Sequence, residues 1–147
     1  MEYWIFQTLV VTHVIGATIW TGGHIVLSIT VLQKALKQNN KDILLDFEIL
    51  YEKVGIPALL FQIISGIILS FHYSSNFLDI FRMENSITTL ITYKFILLLT
   101  TIIIAAHAKF KILPNLTKEK LPLMAKHIYI TTIISILYIA FGVLIRL

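Results

Sequence analysis

Four stretches of this chain are too long and too apolar to fold in water. Tyr3 to Gln33, Val54 to Leu78 and His127 to Ile145 contain no Asp, Glu, Lys or Arg, and Asn85 to Ala108 contains only Lys94. The three charge-free runs are about 19 to 31 residues long, and about 20 apolar residues cross a hydrocarbon core. Inside that core each backbone N–H and C=O must be paired within its own segment, which leaves helix for separate spans. The expected fold is therefore all-α: an integral membrane four-helix bundle, one domain, with spans near residues 3–33, 54–73, 86–108 and 124–145. The loops between them leave no room for a soluble domain.

The charges set the orientation. Of the 12 Lys and Arg, nine fall in two connections: Lys34, Lys37, Lys41 and Lys53 between the first two spans, and Lys109, Lys111, Lys118, Lys120 and Lys126 between the last two. In a four-span chain these connections share one side, and the positive-inside bias makes that side cytoplasmic. Both termini and the middle connection, with Arg82, Arg146, Glu2, Asp79 and Glu84, then face outward. A sequence pI near 9.4 is thus explained by topology, not by nucleic acid. "NNKD" at 39–42 reads as the turn after the first helix, "DILLDFEILYEKVGIP" as an amphipathic lead-in at the headgroups, and Pro57 as a residue early in the second helix.

The chemistry sits in "THVIGATIWTGGH", residues 12–24. At about 100° per residue, His13, Trp20 and His24 project from one face of the first helix. That face must point inward, because an imidazole in lipid needs polar partners. His13 falls near mid-membrane. His24, His107 and His127 fall at a common inner level on three different helices, the arrangement that a metal or haem site needs. Lys94, about seven residues inside the third span, pairs with an anion, loses its proton or reaches outward to water. His72, beside Tyr73, reads as an ordinary interfacial side chain. Gln62, Gly66 and Ser70 form a stripe suited to a helix contact.

Neutral imidazole suits copper, zinc, iron and nickel. There is no cysteine, and Met1, Met83 and Met124 are scattered, so a sulfur ladder for Cu(I) is missing. A b-type haem needs one or two imidazoles and a slot lined by small residues, which Gly23 beside His24, and Ala105 and Ala106 beside His107, provide; Lys109 and Lys111 would meet its propionates. Copper and haem both remain open on ligand chemistry, as does a subunit whose histidines only bridge helices. No Walker loop, Gly-x-Gly-x-x-Gly or His-Glu-x-x-His is present.

Through "HVIGATIWTGGH", "FEILYEKVGIPALLFQIISGI", "AHAKFKILPNL" and "HIYITTIISILYIAFGVLIR", the chain resembles the bacterial copper resistance protein D family in its short, four-helix form. The likeness runs over nearly the whole length. It implies a multi-pass protein of the bacterial inner membrane that takes part in copper transport or homeostasis. His13, Trp20, Gly23 and His24 match the first-helix motif, His107 the "AHA" histidine and His127 the one opening the last helix, with His24, His107, His127 and His13 as metal ligands. A more distant likeness is to HemJ-type protoporphyrinogen oxidases, haem-associated four-helix proteins, through His13, Trp20, Gly22 and Lys94. The chain departs from them in Gly-Gly-His after the tryptophan and in Leu32-Gln33 where they carry Pro-Arg. Cofactor-binding residues on the haem alternative are His13, Trp20, Gly23 and Lys94. The implied partners are the lipid bilayer, a periplasmic copper carrier or a quinone, and a second copy of the chain in a homo-oligomer.

Because the chain has no cysteine, single cysteines report sidedness cleanly. With intact cells, a membrane-impermeant maleimide is expected to label Met83→Cys and to leave Asn39→Cys and Glu119→Cys unlabelled until the membrane is opened. The reverse pattern would invert the topology.

Overall fold

Each apolar run is mostly one helix, and at the basic side each helix extends past its run; the helix of the second run stops at Ser70, short of Leu78. In the computed structural model, which describes residues 2–74 and 76–145, the long helices are α1 (Tyr3–Lys37), α2 (Asp42–Ser70), α4 (Ser86–Asn115) and α5 (Lys118–Leu144). A one-turn helix, α3 (Phe77–Ile80), lies in the connection between α2 and α4. No strand occurs among the described residues. The chain is an all-α bundle with four helices long and apolar enough to span a membrane. Met1 and Arg146, used in the sulfur and charge arguments, lie outside the described residues.

The ends are set locally. At 39–42 the first connection turns through Asn39, whose φ of 46° is left-handed, and the Asn40 side chain accepts from the Asp42 amide at 2.9 Å. Asn85 caps α4 with a reciprocal capping box to Thr88. Where an amphipathic lead-in and an early proline were expected, α2 runs unbroken from Asp42, so Pro57 stands in its interior. Pro57 offers no amide to the Lys53 carbonyl. One lost bond costs less in lipid than the several unpaired groups of a broken helix, so the helix continues.

Two π turns interrupt the regular helices, at Leu27–Val31 in α1 and at Ala108–Ile112 in α4. Each adds residues per turn and rotates the helical face that follows it. One begins three residues after His24, the other directly after His107.

Apolar side chains such as Leu50, Ile64, Leu99, Ile103 and Ile133 cover the outside of the bundle, as a lipid-facing surface requires. Inside, the two halves differ. At the end where both basic connections meet, α1, α2, α4 and α5 close around Leu27, Leu32, Leu44, Ile112, Leu121 and Met124. Lys109 pairs with Glu52 across α4 and α2 there, and the Lys41 ammonium donates to the Leu116 carbonyl at 2.9 Å. Toward the other end α1 stays close to α2 and α5, and α4 stays close to α5, but α2 and α4 hardly touch. That open seam leaves a space in the half away from the basic connections.

Candidate cofactor cavity

The space is a cavity of about 550 Å³ walled by all four long helices. Its size falls within the range of about 300–1,000 Å³ typical of small-molecule and cofactor sites. Most of the wall is apolar; the polar groups include His13 and Trp20 on α1, Gln62 on α2, Lys94 on α4 and Tyr138 on α5. The α1 stripe read from the sequence therefore does face inward.

His13 is held in one state by its neighbours. Its Nδ1 lies 2.7 Å from Ser65 Oγ. The Ser65 hydroxyl donates to the Phe61 carbonyl at 2.6 Å, so its hydrogen is spent and it accepts from Nδ1–H. In the neutral ring this leaves the lone pair on Nε2. The Gln62 amide donates to the His13 carbonyl. Gly66 leaves room for the ring, since a Cβ there would stand 3.2 Å from His13 Cε1. The Gln62–Gly66 part of the α2 stripe is thus a helix contact, made to His13.

Lys94 and Tyr138 are the polar groups that α4 and α5 bring to the wall. Among the described residues no carboxylate lies within ion-pair distance of Lys94, whose Nζ sits 3.6 Å from where a Cβ at Gly142 would be. The Tyr138 hydroxyl oxygen is buried. Thr101 is its polar neighbour: the Thr101 hydroxyl donates to the Leu97 carbonyl at 2.9 Å, and its oxygen is left to accept from Tyr138.

Beneath the cavity, toward the basic end, the wall closes with aromatic rings. The buried His24 ring packs 4.3 Å from Trp20 and edge-on to Tyr51 at 5.8 Å, and His24 Nδ1 donates to the Trp20 carbonyl at 2.9 Å. The Tyr51 hydroxyl donates to the same carbonyl at 3.0 Å and lies 3.2 Å from that of Ile19. Gly23, expected to open a cofactor slot, instead makes room for Tyr51: a Cβ there would stand 2.1 Å from the Tyr51 ring. Gly55 flanks the same ring from α2, 2.7 Å by the same measure.

The other histidines divide. His107 Nδ1 and His127 Nε2 lie 2.8 Å apart, with the rings stacked at 5.0 Å. His127 Nδ1 donates to the Leu123 carbonyl at 2.9 Å. In the neutral pair His127 Nε2 therefore accepts from His107 Nδ1–H, and the free lone pair is left on His107 Nε2. His24 does not join them: among the described residues no three His, Asp or Glu side chains form a group that could hold a metal ion. Lys109 is committed to Glu52, and Lys111 is exposed. His72 is exposed and stacks on Phe6 at 4.1 Å, as an interfacial ring does.

No family model, curated protein or solved structure matches the chain. Ser65, Tyr51 and Tyr138 are the residues that sequence reasoning missed. Ser65 adjoins the Gln62, Gly66 stripe, which was its available signal; Tyr51 sat in the stretch read as a headgroup segment, and Tyr138 in an otherwise apolar span.

The packing at Gly23 is directly testable. Gly23→Ala is expected to displace Tyr51 and lower stability by about 1–3 kcal/mol, as overpacking does, in reversible unfolding of the detergent-solubilised protein. Gly22→Ala, with nothing within 4 Å of the added carbon, is expected to be neutral or stabilising. Equal effects of the two would remove Tyr51 from this position.

Proposed function

We propose that this chain is a membrane redox protein that holds b-type haem in its outer-half cavity, with His13 as the protein ligand. The observation that carries this reading is the Ser65 hydrogen bond, which fixes His13 as the Nδ1–H tautomer on a cavity wall. A ligating imidazole commonly has its other nitrogen held in this way. The donor set fits a haem: one imidazole with a lone pair, apolar walls for a macrocycle, and the Lys94 ammonium for acidic substituents. Among the described residues His13 is the one histidine lining the cavity, so a single protein imidazole would serve the iron.

Haem bound there would carry single electrons. The chain's own part is to orient and exclude. Ser65 and Gln62 fix the His13 ring and its backbone, the inner core keeps water from the basic end, and Trp20 stands between the cavity and His24. The loose α2–α4 seam offers entry from the bilayer for a quinone or a porphyrinogen as electron partner. The resemblance to HemJ-type enzymes through His13, Trp20 and Lys94 agrees with this reading, since all three line the cavity.

A second reading, copper handling of the copper resistance D kind, is favoured by the His107–His127 pair, where two ring nitrogens face each other at 2.8 Å. His107 and His127 would hold a copper ion between them once the two rings part and the shared proton is lost, since metal–imidazole bonds of about 2 Å need more room than the proton does. In that case a periplasmic copper carrier is the expected partner. Both readings place the protein in the bacterial inner membrane with its basic connections in the cytoplasm.

Protein purified from cells supplied with haem precursor and copper distinguishes them. A reduced-minus-oxidised spectrum is expected to show b-type bands that vanish in His13→Ala and persist in His127→Ala. Ser65→Ala is expected to weaken haem affinity by about 10-fold to 100-fold, the usual effect of losing a ligand's supporting hydrogen bond. A colourless preparation holding one copper per chain, lost in His127→Ala, would establish the second reading in place of the first.

A further inference from the structure

On the lipid-facing side of the α1–α2 contact runs a second, open groove of about 400 Å³. Its floor is made by two small buried residues, Gly16 and Ala58, and its walls include Ile15, Ile19, Val54 and Phe61. Thr12 lines it too, but the Thr12 hydroxyl is spent on the Thr8 and Leu9 carbonyls at 2.8 and 3.1 Å. The wall therefore offers an occupant only apolar surface.

The end nearer the basic connections is different. Lys53 stands there, exposed, with no ion pair or hydrogen bond among the described residues. Its neighbour Glu52 is already neutralised by Lys109. Pro57, on the groove wall one turn further along α2, has no amide for the Lys53 carbonyl, so this turn also lacks one acceptor's usual partner. An apolar channel on the membrane face thus ends in an uncommitted cation at the level where α2 nears the basic side.

We propose that this groove is a binding site for an anionic glycerophospholipid, one acyl chain lying over Gly16 and Ala58 and the phosphate against the Lys53 ammonium. The charge decides for an anionic lipid: a zwitterionic headgroup brings its own cation beside the lysine, whereas phosphatidylglycerol brings only the phosphate. Basic sites between spanning helices on the cytoplasmic side bind acidic headgroups by the same physics. The proposal is independent of what fills the larger cavity.

The test is native mass spectrometry of the delipidated full chain with phosphatidylglycerol or phosphatidylcholine of identical acyl chains. The wild type is expected to bind phosphatidylglycerol about fivefold more tightly, the equivalent of about 1 kcal/mol for one lysine near the headgroups. Lys53→Gln is expected to abolish that preference, and Lys37→Gln, at the end of α1, to keep it. Val54→Trp, which fills the groove from its lipid face, is expected to weaken binding of both lipids. Equal binding of the two lipids by wild type, or a preference that survives Lys53→Gln, would overturn the proposal. So would Val54→Trp changing the oligomeric state and leaving lipid adducts intact, since the groove would then be a contact between copies. Unchanged helical circular dichroism in each variant verifies folding.

Discussion

An imidazole removed from water must give its N–H to an acceptor, and in this bundle that requirement organises the interior. Inside, His13 donates to Ser65 Oγ and His24 to the Trp20 carbonyl; the more exposed pair is held alike, His127 to the Leu123 carbonyl and His107 to His127. Each neutral ring is held as the Nδ1–H tautomer, with its lone pair on Nε2. Three of these lone pairs remain unspent, and that of His107 lies on an exposed residue. His13 is the case in which the ring lines a ligand-sized space.

The space exists because the bundle is packed at one end only. Near the basic connections, large aliphatic side chains from all four long helices interlock and the Glu52–Lys109 pair ties α2 to α4. In the half away from those connections, small residues at the helix contacts draw α1 onto α2, with Gly16 against Gln62 and Ala58, while among the described residues α2 and α4 hardly touch. Between the two regimes lies the Trp20, His24 and Tyr51 layer, in which one backbone carbonyl, that of Trp20, accepts from both His24 and Tyr51. Glycines at 23 and 55 accommodate the Tyr51 ring that completes it.

The four spans were legible because the cost of unpaired backbone in lipid leaves few alternatives. Their extents were less so: charges at Asp46, Glu48 and Glu52 do not stop a helix whose first turns lie at the headgroups, and α2 runs through them. The inward face of His13 and Trp20 followed from plain helical periodicity, which holds until the π turn at Leu27. Level along the membrane was readable too, and two of the three inner histidines do meet. The exclusion of His24 was not readable, because periodicity carries no record of which helix stands beside which. The cavity was invisible for the same reason, being the consequence of a contact that α2 and α4 do not make.

The central claim is that the outer-half cavity holds a ligand bound through His13. An experimental density map of the protein purified in nanodiscs from its own membranes tests it most directly. The account predicts flat macrocycle density between α1, α2, α4 and α5, continuous with His13 Nε2, with acidic substituents toward Lys94. A cavity closed by α2 meeting α4, or filled by lipid tails with no contact to Nε2, would contradict it.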